Sequence, residues 1–178
     1  MGLLRDPGRD RRAQGRVASH PVIGFDATLV RRDRLTGIER YMLELLGALA
    51  AVVPERQPVR VFVRPEGRER LAELPPNFRL VVSPTDLRVV TDQLWLPVAA
   101  RREAVALMHH PALAPGLWPS CPFVLTIHDL THRLWPETLS RGGRVYYAPL
   151  LERALRSRRL RHILPVSQAA AADIARLY

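Results

Sequence analysis

Short apolar runs that do not alternate with polar residues recur along this chain, separated by amphipathic stretches. Val22–Asp26, Val59–Val63, Arg79–Val82, Ala104–Met108, Phe123–Ile127 and His162–Val166 read as strands. Strands that are apolar on both faces belong in a parallel sheet covered on both sides. After the first of them, Ile38, Met42, Leu45, Leu46 and Leu49 recur at helical spacing. Thr36, with Glu39 three residues on, makes a capping box. A helix is therefore predicted over Gly37–Val52, stopped by Pro54. Further helices are predicted over Glu66–Leu74, over Asp92–Arg102 with Pro97 inside it, over Ser140–Arg161 with a kink at Pro149, and over Gln168–Leu177 behind a Ser167 cap. Arg31–Arg34 and Ala112–Ser120 read as loops. Strands alternating with helices predict an α/β, Rossmann-like, doubly wound and mainly parallel sheet, in the strand order 3-2-1-4-5-6.

Composition adds bounds. At 178 residues the chain can bury one good core. It is assigned to one domain over residues 21–178, after a basic leader over residues 1–20 that reads as disordered. No apolar run approaches the ~20 residues needed to span a bilayer. The lone Cys121 excludes an internal disulfide and fits a cytoplasmic location.

The net charge is +10, and all 27 basic residues are Arg. The absence of Lys looks like a coding bias toward GC-rich codons; the functional alternative is an anionic partner. Arg141, Arg144, Arg153, Arg156, Arg158, Arg159 and Arg161 form the densest cluster, opposed by Glu152. It reads either as a solvated helix face or as a weak contact with an anionic membrane surface, at the inner face of the membrane. The aromatic residues are few and are not interleaved with the arginines, so no nucleic-acid partner is expected.

The candidate chemistry lies at the carboxyl ends of the strands, where open α/β sheets bind ligands. The predicted strand order brings Gly37, His109 and His128 to one cleft, with Asp129 beside His128. Gly37, in the first turn of the first helix, lets a ligand approach free backbone N–H groups at the positive end of the helix dipole. The alternative is a glycine needed only for the strand-to-helix turn. His128 can donate to a sugar hydroxyl or a phosphate, or carry a proton near neutral pH; the alternative is a half-buried ring satisfied by backbone. Neither GxGxxG nor a P-loop is present, which disfavours nicotinamide chemistry and P-loop phosphoryl transfer. His109, His110, His128, Asp129 and His132 match no established metal-ligand spacing, so no metal is expected. No Gly-x-Ser-x-Gly elbow exists for Ser/His/Asp hydrolysis.

Three passages together resemble the N-terminal half of a family 4 glycosyltransferase: Thr36-Gly37-Ile38-Glu39-Arg40-Tyr41, Thr126–Glu137, and Val166-Ser167-Gln168 followed by a helix. The resemblance spans about Val22 to Tyr178. It implies one half of a GT-B fold, whose N-terminal domain mostly holds the acceptor and whose C-terminal domain holds a nucleotide-sugar. The implied reaction is sugar transfer with retention of configuration, without a cofactor, the nucleotide-sugar being a co-substrate. By resemblance, Gly37 lies near the donor phosphates and His128 hydrogen-bonds the donor sugar. The first helix and the loop after His109 shape the acceptor side. The family's donor-binding domain does not follow within this sequence. The expectation is therefore an isolated acceptor-side domain without turnover of its own, in need of a C-terminal donor domain. The alternative is a non-catalytic Rossmann-like binding or interaction module. The sugar, nucleotide and acceptor are left open.

Overall fold

The computed structural model describes residues 20–178, apart from 34 and 113. The leader expected over residues 1–20 falls outside them, His20 excepted. Six parallel strands form one sheet in the order β3-β2-β1-β4-β5-β6, as predicted. They are β1 (Val22–Asp26), β2 (Val59–Val63), β3 (Phe78–Val82), β4 (Val105–His110), β5 (Phe123–Ile127) and β6 (Leu160–Pro165).

Each face of the sheet has its own core. On one, α1 (Gly37–Val52) lays Met42 and Leu46 over Phe25, Val59 and Val61. On the other, α3 (Leu96–Arg102) and α5 (Ala148–Leu155) bring Leu96, Ala100 and Leu151 against Phe62, Met108, Phe123 and Leu125. Along β2, Val61 and Phe62 point to opposite cores, the alternation a strand imposes. Truncating Leu46 or Leu151 to Ala would cost roughly 2–5 kcal/mol by the usual scale for buried leucines.

The capping box at α1 is present: the Thr36 amide donates to Glu39 Oε2 at 2.8 Å, and the Glu39 amide to Thr36 Oγ1 at 3.4 Å. Ser167 caps α6 (Gln168–Leu177) through the amide of Ala170 at 3.1 Å.

The departures from expectation have local causes. The predicted helix over 66–74 is a 3₁₀ helix, Pro65–Leu71. There Gly67 lies so close to the Val30 carbonyl oxygen that a Cβ would collide with it. β4 starts and ends later than predicted. Ala104, with φ 52°, turns the chain in the left-handed region, and His109 and His110 still pair with β5.

Neither Pro97 nor Pro149 breaks its helix. A short α2 (Arg88–Val90) runs into a π turn, Thr91–Trp95, and Pro97 follows at the start of α3. A second π turn, Gly143–Tyr147, precedes α5 and Pro149. The wider turn relieves the clash between a proline ring and the carbonyl four residues before it. The basic helix predicted over 140–161 is correspondingly shorter, ending at Leu155. A single turn, α4 (Thr131–Leu134), was not predicted.

Candidate functional site

β1 and β4 lie side by side in the sheet, and the chain leaves them in opposite directions, toward β2 and toward β5. Such a reversal opens a crevice at the carboxyl ends of the strands. Asp26 ends β1, His110 ends β4, and His128 follows the last paired residue of β5, Ile127.

His128 is half-buried and held on two sides. Its Nε2 donates to the Pro111 carbonyl at 2.9 Å. A carbonyl only accepts, so the proton sits on Nε2, and a neutral ring keeps its Nδ1 lone pair as an acceptor. The ring of Tyr41 meets His128 edge-to-face, with centroids 4.9 Å apart. Tyr41 stands one helical turn after Gly37 in α1, so the imidazole lies against the first turns of that helix.

Gly37 is exposed at the first position of α1. Its φ is not positive, and a Cβ built there would meet nothing within 4 Å among the described residues. Neither backbone conformation nor packing in this fold requires a glycine at that position. Gly37 instead opens the first turn of a 16-residue helix, at its positive end.

His109 lies behind this front. It is a strand residue, paired in register with Phe25, whose ring it meets edge-to-face at 5.5 Å. Its Nε2 and Thr126 Oγ1 are 2.9 Å apart, and the Tyr41 hydroxyl is 3.5 Å from the same oxygen. Burial, then the adjacent His110, push its pKa down to about 4 against the pull of Asp26. His109 is therefore uncharged at neutral pH and supports Tyr41 through Thr126. Asp129 is exposed on the outer rim, where its Oδ1 accepts from the Thr131 amide at 2.8 Å and turns the chain into α4. Burial, then Asp129, push the Tyr147 phenol up to about 12.

The structure thus groups Gly37 and His128 with Tyr41, sets His109 one layer deeper and leaves Asp129 at the edge. The remaining histidines face separate partners. His110 Nδ1 is 2.8 Å from Asp26 Oδ2, and His132 Nε2 is 3.3 Å from Glu152 Oε1. Among the described residues, no three His, Cys, Asp or Glu side chains converge as metal ligands.

Two buried acids escaped the sequence reading. Burial would raise the Asp26 carboxyl, but hydrogen bonds from His110 and Thr28 outweigh it and hold it below the ordinary range. Asp92 goes the other way. Burial and the Asp26 charge push it up to about 6, although Arg88 (3.3 Å) and the Tyr146 hydroxyl (3.4 Å) oppose the shift. The predicted strand order already made the ends of β1 and β4 neighbours. That was the signal available for Asp26 and His110. Nothing in the local sequence marks Asp92 as buried.

No described helix is long and apolar enough to cross a membrane. Comparison with curated proteins and with solved structures finds no match. The sequence pattern of Glycosyltransferase Family 4 does match, over residues 35–178, and so takes in α1, Tyr41, the His128 segment and α6. With most of its length matched and the Rossmann-like parallel sheet in place, this chain belongs to glycosyltransferase family 4.

Proposed function

We propose that this domain is the acceptor-side half of an enzyme that moves a sugar from a nucleotide-sugar to an acceptor, with retention of configuration. The observation that carries this reading is the pairing of an unobstructed first helical position, Gly37, with a fixed imidazole at His128, joined through Tyr41. In this reading the donor's diphosphate approaches the Gly37 end of α1, where the helix dipole favours the charge that develops as it leaves. Nδ1 of His128 accepts a hydroxyl of the donor sugar and orients the ring. His109 enters indirectly, by holding Thr126 under Tyr41, and the loop after it borders the acceptor.

The reading calls for no cofactor or metal; the nucleotide-sugar is consumed as a co-substrate. It does call for a second, donor-binding domain across the crevice, as in a GT-B arrangement. The residues described here form one wall, and one wall cannot hold donor and acceptor in attack geometry, where positioning supplies much of the rate. Cys121, a buried thiol pushed up by burial, is consistent with a reducing, cytoplasmic setting.

The test is sugar transfer from a panel of nucleotide-sugars, by this chain alone and with a family 4 donor-binding domain joined to it. We expect turnover only in the joined protein, and its loss by at least tenfold on His128→Ala, with unchanged thermal melting. Turnover by the isolated chain would refute the one-wall reading. Undiminished transfer by the His128→Ala protein would remove His128 from the site.

A further inference from the structure

At the other end of the sheet, α5 and the loop between β4 and β5 enclose a groove of about 880 Å³. Its position follows from the chain path. Arg159, on its wall, accepts through its carbonyl from the Phe123 amide at the start of β5 (2.9 Å). The groove therefore opens at the amino ends of the strands, and the crevice at their carboxyl ends.

Arg101, Arg153, Arg156, Arg158 and Arg159 line this groove. They come from α3, α5 and the turn before β6, so the fold adds Arg101 to four arginines of the local sequence cluster. The carboxylate in the wall, Glu152, is already occupied. Arg133 (3.0 Å), His132 (3.3 Å) and the Tyr178 hydroxyl all converge on it, and Arg156 reaches it only at 3.5 Å. Arg153 and Arg159 donate to the backbone carbonyls of Leu117 and Ser120, which fixes their stems and leaves their charge uncompensated.

The rim is apolar. Trp118 is 65% exposed, with Leu117 partly exposed beside it. Along the neighbouring helix, Leu94 (62% exposed), Val98 and Arg101 follow one another at helical spacing. Gln93 Oε1 accepts from the Leu117 amide at 2.8 Å, which ties that helix to the loop. A soluble anion satisfies the arginines but leaves Trp118, Leu94 and Val98 in water. A single-stranded nucleic acid needs successive stacking rings, and Trp118 is the one aromatic residue in the wall. A bilayer interface takes both components: phosphates for the arginines, and the headgroup layer for an amphipathic indole.

We propose that this groove and its rim form a docking surface for an anionic lipid bilayer, with lipid phosphates held by the arginines and Trp118 entering the headgroup layer. The surface lies apart from the crevice, and the proposal does not depend on sugar transfer.

The test is co-flotation of the full Met1–Tyr178 chain with vesicles of phosphatidylcholine and phosphatidylglycerol in equal parts, and with phosphatidylcholine alone. We expect binding that requires phosphatidylglycerol and weakens at about 0.5 M salt, as the Debye length contracts. Combining Arg153→Glu, Arg156→Glu and Arg158→Glu is expected to reduce partitioning by about a hundredfold, at about fivefold for each arginine removed from the surface. Trp118→Ser is expected to weaken binding several-fold at either salt concentration. Arg158→Glu alone serves as a check free of folding effects, since its side chain is exposed. Equal binding to both vesicle types would overturn the proposal. So would wild-type binding by the charge-reversed protein, which would assign the contact to other arginines such as those of residues 1–19. Capture by free polyphosphate without partition to vesicles would assign the groove to a soluble anion.

Discussion

Asp26 Oδ2 and His110 Nδ1 stand 2.8 Å apart across β1 and β4, in residues that are 7% and 3% exposed. The second Asp26 oxygen accepts from the amide and the hydroxyl of Thr28, at 3.0 and 2.7 Å. The carboxylate thus ties together both strands that flank the crevice and the first residues beyond β1. Asp26→Ala would leave a buried imidazole and two Thr28 donors without an acceptor. We predict a loss of roughly 3–5 kcal/mol in urea unfolding. A loss within the range of an ordinary surface substitution would show that the pair is not structural. Because the Asp26 carboxyl is held below its ordinary value of 3.8, its stabilisation is present above that pH and is lost as the pH falls beneath it.

Asp92 carries the opposite sign. Its carboxyl is raised from 3.8 to about 6, so at neutral pH it is ionised at a cost and is relieved by protonation. Asp92→Asn is predicted to stabilise the fold at pH 7 by roughly 1–3 kcal/mol, less whatever the Arg88 contact contributes. That gain should shrink as the pH falls through 6, where the native side chain also becomes neutral. Thermal melts of the two proteins across pH 5 to 8 would decide it; a variant less stable at pH 7 would contradict the assignment.

His109 supplies a counter-slope. Its folded pKa of about 4 lies below the ordinary 6.5, so the unfolded chain takes up the proton first. Stability from this ring is complete above 6.5 and declines as the pH falls toward 4. Over that window the contributions of His109 and Asp92 oppose each other. The direct check is the imidazole Cε1 proton resonance of His109 followed by NMR. A midpoint near 4 is expected, and one near 6.5 would place the ring in water.

Gly37→Ala separates folding from binding. A Cβ there meets nothing within 4 Å among the described residues, and alanine is the better helix former by about 1 kcal/mol in a helix interior. The variant should melt at the wild-type temperature or slightly above it. In the joined enzyme, its affinity for a nucleoside diphosphate should fall. A variant that binds as tightly as wild type would return Gly37 to the role of an ordinary turn residue.

The sheet was legible because most of its strands are short apolar runs, the exposed edge strand β6 with Arg161 and His162 excepted, and α1 because Thr36 and Glu39 announce its start. Strand order followed from the alternation of elements. The candidate site was legible in outline only. Gly37 and His128 could be brought to one cleft by topology, but Tyr41, which joins them, reads in sequence as one more residue of an amphipathic helix. His109 and His110 are adjacent in sequence, and only the pleat of β4 decides which turns to Thr126 and which to Asp26. The groove drew Arg101 from a helix outside the local cluster, a juxtaposition that only the packed chain creates.

The wide turns before Pro97 and Pro149 have a rotational consequence. In each, the closing amide reaches back five residues: Leu96 to Thr91, and Ala148 to Gly143. One extra residue in a turn advances the helix phase by about 100° relative to an unbroken α-helix. These insertions therefore act as angular spacers. The one beside Pro97 sets the azimuth at which Asp92 faces the core while Leu94 faces outward. Deleting Leu94 from that turn would rotate Arg88 and Asp92 together relative to α3, carrying the pair off its place in the core without touching either member, and would bring the Pro97 ring back against the carbonyl four residues before it.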